Sequence, residues 1–271
     1  MKNMYEEIRS KIKNADAILI GASNGLSITE GLHIFADNDD FRNLFGDFRD
    51  KYGIRCILQG FFAQWPSEEE RWAFLSRLIQ HYSGNYTGSP VMDTLKQVIA
   101  DKPYFIVTSN GENHFELAGF DPERILEIEG SWKGLECARG CTSEIYSSWE
   151  KISEMASAES NGRIPSELIP HCPHCGAPLQ IHMAPYGNTL QAYKEFIQTF
   201  HGKNLVILEL GIGARNTMIK QPLMELTYRE NNATYITINK GELYIPQEIA
   251  DKSFGLDGSI GTILPELIAK D

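Results

Sequence analysis

Four apolar runs of strand length each break at a small or polar turn, and that recurrence limits the fold more than any other feature of this chain. Ala15-Asp16-Ala17-Ile18-Leu19-Ile20 leads into Gly21-Ala22-Ser23-Asn24-Gly25, and Tyr104-Phe105-Ile106-Val107 into Thr108-Ser109-Asn110-Gly111. Leu205-Val206-Ile207-Leu208-Glu209-Leu210 ends at Gly211-Ile212-Gly213, and Thr234-Tyr235-Ile236-Thr237-Ile238 at Asn239-Lys240-Gly241. Near-continuous apolarity marks strands covered on both faces, which is the pattern of a parallel sheet between helices. In doubly wound α/β folds ligands bind beyond the C-terminal strand ends, so these turns form the candidate site. Gly21, Ala22, Ser23, Gly25, Leu26, Ser27 and Gly31 offer small side chains and backbone N–H groups to a pyrophosphate, with a plain turn as the alternative. Gly211, Gly213, Ala214 and Arg215 make a second such loop, in which Arg215 is either a cationic contact or a surface arginine.

Two stretches are too long for simple crossovers. Residues 30–90 are aromatic-rich and mostly helical in pattern, and Trp65-Pro66-Ser67-Glu68-Glu69-Glu70 reads as a helix start after a proline. Phe61, Phe62, Trp65 and Trp72 are expected to build the core of this helical module, with a substrate channel as the alternative. Residues 130–185 hold Cys137, Cys141, Cys172 and Cys175, four of the five cysteines, and a segment at 157–162 that reads as loop. Two short spacings can aim four sulfurs at one zinc ion; ordinary buried thiols are the alternative, and His171, His174 and His182 are weaker ligand candidates. Four thiolates would close the coordination shell, so such a zinc is structural. The sheet domain takes residues 1–29, 91–129 and 186–271.

A formal net charge of −11 argues against general affinity for nucleic acid or acidic membranes. The start carries no signal-peptide run and no stretch is apolar enough to cross a bilayer, so a cytoplasmic location is expected, where thiols stay reduced. Cys56 stands alone and reads as a core thiol.

In their order along nearly the whole chain, these motifs resemble those of the sirtuins. Gly21-Ala22 with Ser27 and Gly31-Leu32 is similar to that family's first glycine loop, and Thr108-Ser109-Asn110 to its Thr-Gln-Asn strand end, with Ala118-Gly119 downstream. Glu127-Ile128-Glu129-Gly130-Ser131 resembles the Leu-His-Gly stretch before the zinc ribbon, Gly213-Ala214-Arg215 the Gly-Thr-Ser loop, and Ile238-Asn239 the strand end that meets the adenosine ribose. The resemblance implies an α/β fold with a doubly wound, Rossmann-like parallel sheet and a small domain made of a zinc ribbon and a helical module. It also implies NAD as cosubstrate and a structural zinc. Ser109, Asn110, Asn239 and Ile260 join the two glycine loops as implied cofactor contacts.

The departures from the family pattern carry information of their own. Glu129 stands where typical sirtuins have the histidine that acts as base on the NAD ribose, and Glu112 replaces the aspartate of the Asn-Ile-Asp motif. Asp37-Asn38-Asp39-Asp40-Phe41-Arg42 is the nearest match to Asp-Phe-Arg, which makes Arg42 the carried-over cofactor contact. With Ala118-Gly119-Phe120-Asp121, the pattern most resembles a divergent bacterial branch linked to macrodomain proteins, which implies protein ADP-ribosylation rather than deacylation. A protein acceptor is then expected, with a lipoyl-carrier protein or a macrodomain protein as partner.

Cleaving NAD requires a fixed ribose, stabilisation of positive charge at the anomeric carbon, and an acceptor on the open face. Asn110 can present its amide to the ribose or to water, or simply turn the chain with Gly111. Glu112 can hold the nicotinamide side or cap the next helix. Glu129 can bind a ribose hydroxyl, stabilise the cation or, if buried, deprotonate an acceptor; a solvated glutamate is the alternative. Deacylation with an altered base, drawing on His114, and non-catalytic NAD or ADP-ribose binding are the competing functions.

Overall fold

The computed structural model describes residues 2–268. In chain order the elements are α1 (Lys2–Lys13), β1 (Ala17–Ala22), α2 (Asn24–Thr29), α3 (Asp39–Tyr52), α4 (Ile57–Phe61), α5 (Glu68–Ile79), α6 (Pro90–Ile99), β2 (Tyr104–Thr108), α7 (His114–Leu117) and β3 (Ile125–Glu127). Then follow β4 (Gly134–Cys137), β5 (Tyr146–Ser147), α8 (Trp149–Ala158), β6 (Leu179–Ile181), α9 (Thr189–Thr199), β7 (Leu205–Leu210), α10 (Thr217–Arg229), β8 (Thr234–Asn239), β9 (Ser253–Asp257) and α11 (Ile260–Ile263). A π-helical turn, Gln80–Gly84, continues α5.

Six strands form one parallel sheet in the order β3-β2-β1-β7-β8-β9. The chain winds outward from β1 to β3 and later resumes on the other side of β1, so the loops after β1 and β7 diverge and open a crevice at their C-terminal ends. The four expected strands are present with adjusted ends. β1 begins at Ala17 rather than Ala15 and runs on through Gly21, where an added Cβ would collide with Leu223 of α10. The short edge strands β3 and β9 were not among the four. β3 stops at Glu127, which leaves Glu129 in the turn beyond it.

Alternation along β1 feeds two cores, as period-two geometry demands. Ile18 and Ile20 pack with Ile8, Leu95 and Leu264 on one face, whereas Leu19 packs with Phe105, Ile207 and Leu223 on the other. Within the second face Glu209 is fully buried and accepts hydrogen bonds from Lys220 (2.5 Å), Tyr235 and Thr237 (2.9 Å). A third core lies off the sheet and joins Phe45, Trp72, Phe74 and Leu78 to Leu135, Ile152, Met155 and Leu179. The helical module and the cysteine-bearing insertion therefore share one interior, in which β5-β4-β6 forms a small antiparallel sheet.

Local sequence explains these elements. Ser67 caps α5 by accepting from the Glu70 N–H, three acidic residues fill the first turn, and Trp72 is completely buried. α8 buries Ile152 and Met155 and extends two residues into the segment expected as loop. Among the described residues, no helix is long and apolar enough to cross a membrane.

Candidate functional site

The floor of the crevice is two glycine turns in backbone contact. Gly25 N–H donates to Gly211 O (3.0 Å) and Gly211 N–H to Ile238 O (2.9 Å), which ties the ends of β1, β7 and β8 together. Gly211 has φ +64°, and a Cβ on Gly25 would lie 2.5 Å from the Gly211 Cα, so only glycine fits at either position.

Beside this contact, three side chains close a triangle. The Ser23 and Ser109 hydroxyls are 3.0 Å apart, and Asn216 Nδ2 donates to both, at 3.1 and 2.9 Å. Asn216 is the N-cap residue of α10, yet its side chain makes no capping bond. It is spent on the site instead, so the first N–H groups of this 13-residue helix receive no cap from it. Asn216 is not among the contacts expected from the sequence. Its signal was an asparagine before a helix, which ordinarily means a cap.

Asn110 sits next to the triangle, 6 % exposed, with Nδ2 donating to Ser23 O (3.2 Å). Its Oδ1 is buried without a protein partner. An orphaned buried acceptor costs about 1–3 kcal/mol unless something fills it, so a bound hydroxyl or amide donor is the natural complement. Glu112 is 4 % exposed and accepts from the Ser27 hydroxyl at 2.6 Å; burial pushes its pKa up, opposed by the charge of His114 and by that hydroxyl. Asn110, Glu112, Ser27 and Ser109 all line one cleft with Asn24, Gly111, Glu129, Gly130, Ser131 and Trp132. Ile34, Ile57, Leu58, Phe61, Phe62 and Met183 supply its apolar wall. Phe62 is 66 % exposed and faces this cleft, whereas Phe61 lines the cleft and also packs against the helical module's core as expected.

Glu129 lies on the rim of the cleft, exposed. The burial that would fit it for proton abstraction belongs to Glu127, two residues earlier. Glu127 is 5 % exposed, accepts from Asn113 Nδ2 at 2.8 Å, and lies 3.7 Å from Lys133; burial pushes its pKa up to about 7 despite the lysine. His114 is no free base: Nδ1 lies 2.9 Å from a Glu30 carboxylate oxygen and Nε2 2.8 Å from Tyr82 O.

The remaining implied contacts divide by position. Gly21, Ala22, Leu26 and Ser27 lie along β1 and α2 at the crevice; Gly31, with φ +95°, follows Glu30, the C-cap residue of α2. Gly213 and Ala214 flank Glu242, which accepts from the Ala214 N–H at 3.3 Å, while Arg215 is exposed. Asn239 ends β8 and donates to Ile212 O at 3.1 Å, and Ile260 is buried at the start of α11. Arg42 is outside the cleft lining and pairs with Asp37 at 2.8 Å, a carboxylate that Arg49 also engages at 3.1 Å. The Asp37 pKa is held well below the ordinary range, first by Arg49 and then by Arg42.

Away from the cleft, the sulfurs of Cys137, Cys141, Cys172 and Cys175 lie within 4.8 Å of one another, with Cys137–Cys175 at 3.6 Å and Cys141–Cys172 at 3.5 Å. Zn–S bonds of about 2.3 Å in a tetrahedron set sulfur separations of about 3.8 Å, so the quartet fits zinc. The turns that aim them are closed by Gly140 N–H to Cys137 O (2.8 Å) and Gly176 N–H to Cys172 O (2.9 Å), both glycines having positive φ.

No family model matches the chain. It is 31 % identical over 280 residues to a protein ADP-ribosyltransferase of Staphylococcus aureus (strain Mu50 / ATCC 700699), covering 98 % of this chain and 87 % of that protein. It is 28 % identical over 284 residues to a probable bifunctional ADP-ribose hydrolase/ADP-ribosyltransferase of Fusarium oxysporum f. sp. cubense, covering 96 % of this chain but 47 % of that longer protein. In structure it is similar to a Sir2 homologue solved in complex with NAD, with a TM-score of 0.63 and 15 % identity over 97 % of this chain and 92 % of that one. Sir2Af2, solved with a myristoylated histone peptide, gives 0.55 and 17 % over 99 % and 96 %. At these identities the structural likeness is one of fold.

Proposed function

We propose, for a chain that belongs to the sirtuin-like family of protein ADP-ribosyltransferases, that it cleaves the nicotinamide–ribose bond of NAD and transfers ADP-ribose to a protein acceptor. Family membership rests on the staphylococcal relative. The observation that carries the site assignment is the unpartnered Asn110 Oδ1 on the floor of a cleft at the sheet's switch point.

NAD, when bound, supplies the ADP-ribosyl group and nicotinamide as leaving group. Gly21 to Ser27, with Gly211, Gly213 and Ala214, would hold its phosphates, helped by the N-terminal amides of α10. Asn239 and Ile260 border the adenosine side. Asn110 would fix the ribose through its free acceptor, and Glu112, braced by Ser27, would act at the nicotinamide side. Glu129 at the rim would meet the acceptor, where an exposed carboxylate can stabilise positive charge or receive a proton. Arg42 would reach the cofactor only by leaving Asp37.

The commitment of both His114 nitrogens argues against the deacylase reading, which needs a substitute imidazole base. The partner side is also a proposal. The fungal relative is named as a probable bifunctional ADP-ribose hydrolase/ADP-ribosyltransferase and is about twice as long; a macrodomain protein acting on the same product is the partner proposed here. A lipoyl-carrier protein is the other candidate to present as acceptor.

Incubation with labelled NAD and candidate acceptor proteins tests the function. Nicotinamide release with label transferred to protein is expected, with strong losses in Asn110→Ala and Glu112→Gln and a smaller one in Glu129→Gln. NAD binding without nicotinamide release would make the chain a sensor, and O-acyl-ADP-ribose from an acyl-lysine peptide would make it a deacylase.

A further inference from the structure

His114 Nδ1 and a Glu30 carboxyl oxygen lie 2.9 Å apart, with both side chains almost wholly buried, at 2 % and 1 % exposure. Nδ1 faces the Glu30 carboxyl and Nε2 the Tyr82 carbonyl, so an imidazolium donates to both, whereas a neutral ring closes both bonds only if Glu30 carries the proton instead. Glu30 also accepts from Tyr86 (2.7 Å) and Ser89 (2.5 Å), and the Tyr86 ring stacks on the imidazole at 4.0 Å. Burial works against the cation, but the Glu30 and Glu112 carboxylates outweigh it and raise the imidazole pKa above its ordinary value.

The pair also joins two parts of the cleft. Glu30 closes α2, whose Ser27 holds Glu112, and His114 begins α7 directly after the turn that carries Asn110 and Glu112. The π-helical turn of the helical module is latched to the same turn, through Ser83 donating to Glu112 O at 2.9 Å and through Tyr82 O. Resting on the transferase reading, we propose that His114 is a positioning residue. As an imidazolium paired with Glu30, it fixes turn 110–113 against α2 and places beside buried Glu112 a positive charge that favours its ionised form against burial. Besides Glu30, Glu112, Tyr82 and Tyr86, the groups facing it across a polar surface recess are Asp40 and His81.

Two readouts test this. In protein carrying 15N-labelled histidine, NMR near neutral pH should find both His114 nitrogens protonated, and the Glu30→Gln variant should shift the ring to its neutral form. Nicotinamide release followed from acidic to alkaline pH should show the acidic limb of wild type displaced upward by about one to two pH units in His114→Gln, because removing a nearby cation raises a carboxyl pKa. Turnover near neutral pH then falls about tenfold or more and recovers at alkaline pH, with far-UV circular dichroism unchanged. If His114→Gln does not fold, Glu30→Gln serves for the same pH comparison. A neutral wild-type His114, or a loss that is equal at every pH, overturns the proposal. A wild type that releases no nicotinamide refutes the transferase reading instead, and the NMR result still decides the charge on His114.

Discussion

Replacing Gly25 by alanine tests the claim that the site floor is set by backbone contact. The added carbon would lie 2.5 Å from Gly211 Cα and 2.7 Å from its carbonyl oxygen. Non-bonded carbons rest at about 3.5–4.0 Å, so the two turns would have to part by about 1 Å. Their mutual hydrogen bond at 3.0 Å and the bond from Gly211 to Ile238 at 2.9 Å resist that movement. Overpacking of this kind costs about 1–3 kcal/mol. At about 2–4 °C per kcal/mol for a domain of this size, melting should fall by about 2–12 °C. The larger effect is expected on activity, since about 1 Å of misplacement in groups that orient a substrate can cost about 100-fold. Calorimetry and steady-state nicotinamide release measure the two effects. Gly46→Ala in α3 is the control, because nothing lies within 4 Å of its added carbon. Gly25→Ala turning over like wild type, or Gly46→Ala losing as much, would refute the reasoning.

Metal removal by a strong chelator, or Cys175→Ser, should loosen the small domain. Trp65 and Trp72 emission should then shift to the red while most sheet circular dichroism persists; unchanged emission would show that the quartet holds no structural metal. The Glu127 carboxyl, raised by burial to about 7, remains protonated in the folded state where the unfolded chain is already ionised. The folded state therefore binds more protons between the ordinary glutamate value and about 7, so stability falls as pH rises through that window, by up to about 3 kcal/mol. Glu127→Gln should flatten the dependence in chemical denaturation, and an unaltered slope would count against the buried carboxyl. Lys220→Met should lower stability by about 3–5 kcal/mol by leaving Glu209 charged and unpaired, and Glu209→Gln in the same chain should restore most of it. A double-variant loss equal to the sum of the two single losses would show that the pair is not coupled.

The parts of this molecule legible in the sequence are those governed by local pattern. The four central strands were readable because burial on both faces leaves near-continuous apolar runs, and the cysteine turns because metal spacing is a short-range constraint. β3 and β9 were not, since an edge strand of three or five residues carries too little periodicity to stand out. Within the site, Asn110 and Glu112 could be singled out because they follow a central strand directly. What the sequence could not supply was burial. Glu127 and Glu129 are two residues apart and chemically identical, yet the end of β3 buries the first and the next turn exposes the second. Pairings across long separations were equally hidden: Glu30 meets His114 84 residues away, and Asn216 reaches Ser23 across 193. Arg42 was placed by the nearest motif match, and the three-dimensional neighbour that claims it, Asp37, is decided by the fold of α3's approach.

The shared interior of the two insertions has a consequence for biosynthesis. Phe45, Trp72 and Phe74 leave the ribosome well before Ile152, Met155 and Leu179, which they need as cover, and β1 waits for β7 at residue 205 to gain its second neighbour. More than half of the nascent chain must therefore emerge with aromatic surface unshielded before either interior can close. Such a chain depends on late, long-range pairing and is exposed to aggregation during synthesis. Polypeptides released short of residue 181 should accordingly be captured by chaperones or degraded, and truncated expression of the helical module alone should yield insoluble material.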